Sequence, residues 1–390
     1  MNVLILGGDG YLGWPTAMRF SKRGDKVTIV DNMVKRLWEA ELGVSPLYPL
    51  PSLRERVKVW EQITGLKINI KIGDIAKNPR FLYKIIENVR PDCVIHYAEQ
   101  PSAPFSMIDR DTCVTTHINN IVGTLNLMFA VKKYVPTCHI LKLGTMGEYG
   151  TPNIDIEEGW LEVIHNGRSD RVLYPKKPGS FYHLTKVHDS NALCFGARAW
   201  DLRVTDLNQG VVYGVNTPET LLDESLRTSF HYDSVFGTVI NRFITQASIN
   251  SDLTVYGDGS QRRGFLNILD TLKCVELASE NPPSRGDFRV FNQFTEMFSI
   301  SELAVKVSRV ARARGYRCNV HNVVNPRVEQ TQHYYNAKND GLIRLGLKPT
   351  LFTDEVVAEL LDEVQGANVD RENAVDTGPL WNESGAGGGA

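Results

Sequence analysis

Leu4-Ile5-Leu6-Gly7-Gly8-Asp9-Gly10-Tyr11-Leu12-Gly13 decides the fold. A short apolar run leads into glycines at 7, 10 and 13, and a helical pattern over Gly13–Arg23 follows. This strand–turn–helix order suits a dinucleotide. Gly7 permits the tight turn, Gly10 lets the backbone approach a pyrophosphate, and Gly13 lets the helix pack on the strand. The amides of Tyr11 and Leu12, beside Asp9, then point at phosphate oxygens. A glycine pattern alone is weak, so the next strand matters. It ends in Asp31, 18 residues beyond Gly13, where a carboxylate can bind both ribose hydroxyls. Asp31 repels a 2′-phosphate whereas Lys35 and Arg36 attract one. The group in direct contact with the ribose dominates, which predicts NAD over NADP. Asp74, in Gly73-Asp74-Ile75 after the third strand, either bonds the adenine amino group or turns a solvated strand end. Asn32, Ile75, Asn119, Gln209 and Val212 complete the expected cofactor contacts.

Outward from this loop, short β-rich runs alternate with helical stretches. The expected strands are Val3–Leu6, Val27–Val30, Ile68–Ile72, Cys93–Ile95, Ile140–Leu143 and Arg203–Leu207, apolar throughout as strands covered on both faces must be. Gly13–Arg23, Pro79–Val89 and Thr116–Lys133 are long enough for crossover helices. The pattern predicts an α/β fold, a Rossmann-type doubly wound parallel sheet with a smaller C-terminal substrate-binding cap. Residues 1–212 are expected to form mainly the dinucleotide domain, with an insertion at 33–65 containing Trp38 and Trp60. Residues 213–384 are expected to form mainly the cap, with some segments returning to the first domain. Residues 385–390 (GAGGGA) read as a tail or an added scar.

Composition narrows the function classes. Lys+Arg 43 against Asp+Glu 45 leaves a net charge of −2, with no basic footprint for nucleic acid or a membrane surface. The six cysteines stand at least 20 residues apart without a CxxC pair. That spacing argues against a zinc ribbon or a disulfide framework and fits a reducing compartment; no metal is expected. No apolar run approaches a membrane span, and the strand-like start at Asn2 leaves no room for a leader. The chain reads as soluble and cytoplasmic.

Tyr182-His183-Leu184-Thr185-Lys186 puts Tyr and Lys on one helix face a turn apart. The pair follows Gly144-Thr145 at the C-terminal end of a strand, where open α/β sheets place ligands. Lys186 and a positive nicotinamide ring would both favour tyrosinate, lowering the phenol toward neutrality. Tyr182 then takes a hydroxyl proton while Thr145 holds the same oxygen. The bland alternative is a Tyr packed on its own helix with Lys186 solvated. His183, beside Tyr182, is a proton carrier suited to neutral pH or simply a packed histidine.

The glycine loop, Asp31, Asp74, Thr145 and the Tyr–Lys pair together resemble the extended short-chain dehydrogenase/reductases that act on nucleotide sugars. Longer strings sharpen this likeness. Gly144-Thr145-Met146-Gly147-Glu148-Tyr149-Gly150, Ser180-Phe181-Tyr182-His183, Lys186-Val187-His188-Asp189-Ser190 and Asp206-Leu207-Asn208-Gln209-Gly210 are similar to the signature of the UDP-sulfoquinovose synthases. The similarity runs from Met1 to about Pro349. It implies an NAD-dependent enzyme that converts UDP-glucose and sulfite to UDP-sulfoquinovose and water through a 4-keto-5-ene sugar, in sulfolipid or sulfoglycan biosynthesis. This C–S bond-forming activity is grouped with hydrolases of carbon–sulfur bonds. A homodimer through two helices per subunit is also implied. Many family members carry Arg where this chain has Pro101, so a basic group near the sugar or sulfite is missing. Sugar 4,6-dehydratases carry Asp and Glu at the positions of Met146 and Gly147. Without them, His183 and Glu148 are the remaining candidates for the elimination proton transfers, and Met146 shapes the floor under the sugar.

On the substrate side, Leu253-Thr254-Val255-Tyr256-Gly257 through Gln261-Arg262-Arg263 resembles the segment that holds a nucleotide diphosphate in these enzymes. The strand edge of Thr254, Val255 and Tyr256 can pair with uracil, while Gln261 and Arg263 meet the diphosphate; Arg suits that task by its planar fork. Arg327 is a second phosphate candidate and Glu329 a ribose ligand. Gln100, Gln209, Thr238 and Asn241 are expected to line the sugar. Two other function classes stay open. An epimerase or 4,6-dehydratase would make a new sugar without sulfite, and a silent dinucleotide sensor would turn over nothing. Whether free sulfite or a sulfite-delivering protein supplies the sulfur is not encoded.

Overall fold

The computed structural model describes residues 1–328, 334–378, 380 and 381. β1 (Asn2–Leu6), α1 (Gly13–Lys22) and β2 (Lys26–Asp31) come first, followed by α2 (Val34–Glu41) and α3 (Leu53–Thr64). β3 (Ile68–Ile72), α4 (Pro79–Val89), β4 (Cys93–His96), α5 (Arg110–His117), α6 (Gly123–Tyr134) and β5 (His139–Thr145) follow. A hairpin of β6 (Trp160–His165) and β7 (Arg168–Leu173) precedes α7 (Phe181–Trp200) and β8 (Arg203–Gln209). The second half holds β9 (Val211–Tyr213), α8 (Val239–Ser248), β10 (Leu253–Tyr256), β11 (Arg262–Asn267), α9 (Ile268–Glu280) and β12 (Phe288–Gln293). It closes with β13 (Glu296–Ser299), α10 (Ile300–Ala313), β14 (Val320–Val323), α11 (Asp340–Arg344), α12 (Asp354–Val364) and α13 (Arg371–Val375).

Seven strands form one parallel sheet in the order β12-β8-β5-β4-β1-β2-β3. The order reverses between β1 and β4, which opens a crevice at their C-terminal ends. The faces of β1 split as period-two geometry requires. Val3 and Ile5 pack with Trp14, Phe20 and Trp60, while Leu4 and Leu6 pack with Leu82, Leu127 and Leu193 on the opposite side. Both faces are therefore covered by helices, the condition for an all-parallel sheet. At β3 that reading fails. As an edge strand it exposes Asn69, Lys71 and Ile72.

Three further features differ from the sequence reading. The helix expected from Thr116 starts earlier, at Arg110, where the Asp109 carboxylate accepts from the Thr112 amide at 2.8 Å. A wide π turn over Ile118–Val122 then interrupts it. The β6–β7 hairpin, not expected from sequence, turns on Asn166 (φ 49°) and Gly167 (φ 75°), a pair able to adopt the positive φ of a two-residue hairpin loop. The insertion at 33–65 is more than an edge decoration. Its Ser52 and Glu55 form a capping box on α3, and Trp60 enters the core. Leu47 joins the cap core of Phe243, Phe265, Leu303 and Phe352.

The cap contains a parallel pair, β10 with β14, and a three-stranded sheet ordered β13-β11-β9. Between these cap strands, α9 and β12 return to the main sheet: α9 contributes Cys274, Val275 and Ala278 to its core, and β12 pairs with β8 from Phe288 to Gln293. The residues 385–390 lie outside the described residues.

Candidate active site

The crevice at the strand ends is the mouth of a cavity of about 460 Å³ lined from the strand ends of the seven-stranded sheet and from the later segments around β9, α8, β10 and β11. Gly7, Gly10, Tyr11, Leu12 and Gly13 form one wall. Gly7 has φ 88°, and a Cβ there would stand 2.7 Å from the Tyr97 carbonyl carbon. A Cβ at Gly13 would lie 1.9 Å from the Gly7 oxygen, so this glycine is needed for the close approach of helix and strand. At Gly10 the nearest atom is 3.5 Å away, leaving room for a ligand's backbone contact. No side chain caps the N-terminus of α1, so the positive end of its dipole faces an anion. These residues fit a dinucleotide pyrophosphate.

Asp31 lines the same wall. Its carboxylate accepts from the amides of Asp9 (2.9 Å) and Met33 (2.7 Å), which fixes its rotamer. Burial pushes its carboxyl up, against those two amides. Lys35 and Arg36 also reach the wall, where each already contacts a carboxylate, although Arg36 shares Asp9 with the buried Arg56. Arg36 binds Asp9 through two nitrogens at 2.7 and 3.0 Å, and Lys35 contacts Glu39 at 2.5 Å. Asp74 stands behind the wall, its carboxylate accepting from Ala76, Lys77 and Asn32 rather than facing the cavity. Asn32, Ile75, Asn119, Gln209 and Val212 all line the cavity.

At the opposite end Thr145, Tyr182 and His183 share the wall. The Ser180 hydroxyl caps α7 on the His183 amide, and the Tyr182 amide donates to Ser106 at 3.0 Å, which fixes the helix start. Lys186 lies one turn along, its Nζ donating to the Leu143 carbonyl at 2.7 Å and 5.7 Å from the Tyr182 ring centre. The same Nζ contacts Glu99, a cavity-wall residue the sequence reading missed. The expected drop of the tyrosine toward neutrality is not met in this state, where burial pushes the Tyr182 phenol up. His183 Nδ1 lies 3.0 Å from Ser180 Oγ, and its ring rests against Gly147.

Glu148 and Met146 need correction. Glu148 is buried beneath β5 and does not line the cavity. It binds Lys142 (3.3 Å) and Lys176, and accepts from Ser190 at 2.9 Å. Although burial works the other way, the two ammonium groups hold its carboxyl at about 2. A carboxylate so committed is a poor proton carrier. Met146 packs with Tyr149, Tyr174 and Phe294, away from the cavity.

The cap closes the cavity with Thr238, Asn241, Thr254, Tyr256, Gln261, Arg263 and Arg327. Two arginines from segments 64 residues apart in sequence thus line the same cavity. Asn241 Oδ1, Thr238 Oγ1 and Gln261 Oε1 are buried without a hydrogen-bond partner among the described residues, so they are ready for one. Val255 is corrected: it points into the cap core. Gln100 reaches the wall, but its amide is spent within its own loop on Ser102. Pro101 also lines the cavity and brings no charge. Glu329 lies outside the described residues. Trp38, Phe236, His231 and Arg242 complete the wall unforeseen, because no local pattern separates them from ordinary cap residues.

Geometry and sequence comparison agree on the class. The model of the NAD dependent epimerase/dehydratase family matches residues 3–292, and the chain belongs to that family. Its cofactor is NAD. The chain is 51% identical to the chloroplastic UDP-sulfoquinovose synthase of Spinacia oleracea over 96% of its own length and 77% of that protein's. It is 45% identical to the UDP-sulfoquinovose synthase of Sulfolobus acidocaldarius over 90% of its length and 88% of that relative's. Among solved structures, the UDP-glucose 4-epimerase of Thermotoga maritima with UDP-glucose superposes with a TM-score of 0.67 at 19% identity, covering 93% of this chain and 98% of that one. That likeness concerns the fold. Among the described residues, no helix is long and apolar enough to cross a membrane and no acidic or His/Cys cluster could hold a metal.

Proposed function

We propose that this enzyme is a UDP-sulfoquinovose synthase, converting UDP-glucose and sulfite to UDP-sulfoquinovose and water. One observation carries the reading: the Thr145–Tyr182–His183 wall and the Arg263–Arg327 wall face one cavity that also holds the glycine loop. The names of the relatives at 51% and 45% identity agree with it. Arg263 and Arg327 bracket the diphosphate, and Asn241 and Gln261 offer polar contacts to the rest of the substrate. Tyr182 takes the proton of the C4 hydroxyl while Thr145 positions that oxygen. NAD, when bound, supplies a reversible hydride acceptor for C4. The C4 ketone acidifies the C5 proton, and His183 carries protons as the C6 hydroxyl leaves. Sulfite, already a strong nucleophile, adds at C6 with little help, and C5 takes back the proton that His183 carried. Tyr182 then returns its proton to the C4 oxygen. The activity is thus formally a hydrolase of carbon–sulfur bonds run in the forming direction.

Other assignments rest on surface and composition. An apolar stripe of Ile118, Leu125 and Phe129 with Phe181 and Phe195 of α7 is exposed, which supports a homodimer through these helices. All six cysteines are free, which supports a reducing, cytoplasmic setting. The sulfite arrives free or from a delivering protein. The test is incubation of purified protein with UDP-glucose, with and without sulfite, followed by mass analysis. A sulfonated nucleotide sugar only with sulfite is expected; a new sugar without sulfite would mean an epimerase or dehydratase.

A further inference from the structure

Glu99 is out of place by ordinary burial rules. It follows β4 in a loop on the cavity wall, and its side chain is only 2% exposed. A buried carboxylate is costly unless matched, yet neither oxygen has a hydrogen-bond partner among the described residues. Its contacts are two basic groups. Oε2 meets Lys186 Nζ, and Oε1 lies 3.4 Å from His96 Nε2. Burial, with Lys186 and Lys142 adding, holds the His96 imidazole down at about 3, and its Nε2 also meets Thr124 Oγ1 at 3.1 Å. Of the two contacts, only Lys186 is charged near neutrality.

The surrounding backbone is built to keep this contact. Asn120, on the π turn, accepts from the Gln100 amide at 2.7 Å, donates to the Gln100 carbonyl at 3.3 Å and donates to Thr185 Oγ1 at 2.9 Å. Thr185 Oγ1 in turn donates to the Tyr182 carbonyl at 2.7 Å. One asparagine therefore ties the residue after Glu99 to the residue before Lys186. A π turn at such a junction is a common mark of a functional site.

We propose that Glu99 is a positioning residue for the Tyr182–Lys186 pair, holding Lys186 Nζ in place through its carboxylate and offsetting positive charge at the Tyr182 oxygen. The chemistry asks for such balance, granted the reading above in which Tyr182 exchanges a proton with the C4 oxygen. Tyr182 must first accept a proton and later return it at the same pH. An unopposed ammonium would favour the phenolate and hinder the return. Glu99 moderates that pull without touching substrate carbon. The other charged or titratable groups facing the pair are Asp189 and His183 on α7, Lys142 on β5, Glu148 in the turn after β5, Asp206 on β8 and His96 on β4. Lys142 and Asp206 are bound to one another at 3.5 Å, which leaves Glu99 as the carboxylate in contact with Lys186 Nζ.

The test follows Tyr182 ionisation in the NAD-loaded protein by ultraviolet difference against Tyr182→Phe, in wild type and Glu99→Gln. Loss of a negative neighbour makes both groups easier to deprotonate. The Tyr182 midpoint is expected to fall by about one pH unit or more in Glu99→Gln, and the acid limb of the kcat profile to move the same way. An unmoved midpoint overturns the proposal even if kcat falls, since a merely structural role lowers rate without shifting ionisation. Should Glu99→Gln not fold, Glu99→Asp keeps the charge. Its midpoint should stay within about 0.3 unit of wild type while kcat drops, because the shorter arm changes geometry and not sign; a fall of a full unit would overturn the assignment. The midpoint is read without turnover. A wild-type protein that makes no sulfonated product would refute the proposed function and leave this result standing.

Discussion

The His183 imidazole occupies the space that a side chain on Gly147 would need: a Cβ there would stand 2.2 Å from Nε2 and 2.3 Å from Cδ2. The bare backbone at residue 147 thus admits the ring to the wall beside Thr145 and Tyr182. Gly147→Ala must push the imidazole off this seat. Turnover is expected to fall by up to about 10²-fold, the low end of what an acid–base group contributes, with the melting temperature little changed. Unchanged turnover would place His183 outside the chemistry.

Direct removal gives larger effects. Tyr182→Phe should abolish product formation from UDP-glucose and sulfite, because it removes the phenol that Lys186 backs one turn along the helix. His183→Ala should slow it by about 10²–10⁴-fold, as expected for a proton carrier. Mass analysis of the nucleotide sugars separates the cases. If Tyr182→Phe retains wild-type rates, the base is elsewhere.

Cofactor choice rests on Asp31. Its two oxygens are oriented by the Asp9 and Met33 amides, and it lines the cavity. Asp31→Ala should weaken NAD binding about 10–100-fold, the worth of lost hydrogen bonds to a charged group. Titration of NAD and NADP into the purified protein reads this. Equal affinity of wild type for both dinucleotides would count against the assignment.

Beneath the site, Lys142 is fully buried against Glu148, Asp206 and Ser190. Replacing it with Met would strand the Asp206 carboxylate in the core and leave Glu148 with Lys176 as its ammonium partner. A loss of about 3–5 kcal/mol is expected for breaking such a cluster one-sidedly, measured by urea unfolding. A loss below about 1 kcal/mol would mean that water reaches the site.

Acid should weaken the fold through two buried histidines. Burial holds His96 and His139 down at about 3, from an ordinary 6.5. Both are bases with folded values below the unfolded one, so the unfolded chain binds the extra protons. Their stabilising share is complete above pH 6.5 and is lost progressively from 6.5 toward 3. The slope is at most about 1.4 kcal/mol per pH unit for each histidine. His139→Gln, which can still meet Thr205, should shallow it by one proton; unfolding free energies between these pH values decide the point.

Six of the seven sheet strands were legible because each is a short apolar run next to a turn or helix signal. β12 was missed: Phe288–Gln293 carries Arg289, Asn292 and Gln293, and its place beside β8 is set by long-range pairing that no local pattern announces. The Asn166-Gly167 turn was readable and overlooked. In the site, the glycine loop, Asp31, Thr145, Tyr182 and His183 came from spacing and resemblance, since cofactor geometry imposes them locally. Glu148 misled because sequence proximity to Thr145 says nothing of side-chain direction; the short helical turn after β5 aims it inward at Lys142. Glu99 was available in principle as a carboxylate just past a strand end. Its meaning comes only from the distant Lys186.

β12 reaches the sheet 84 residues after β8 ends, counted from Gln209 to Gln293. A ribosome adding 5–20 residues each second needs about 4–17 s to cover that distance. Throughout that interval the backbone of β8 offers an unpaired edge, and Leu202, Val204 and Leu207 wait for Phe288, Val290 and Phe291. The cap strands β9, β10 and β11 emerge in the meantime. The nascent sheet is therefore open on the flank next to the growing cap, and a chain stopped before Phe288 keeps that sticky edge for good. Birth order makes this flank the place where a chaperone has most to protect.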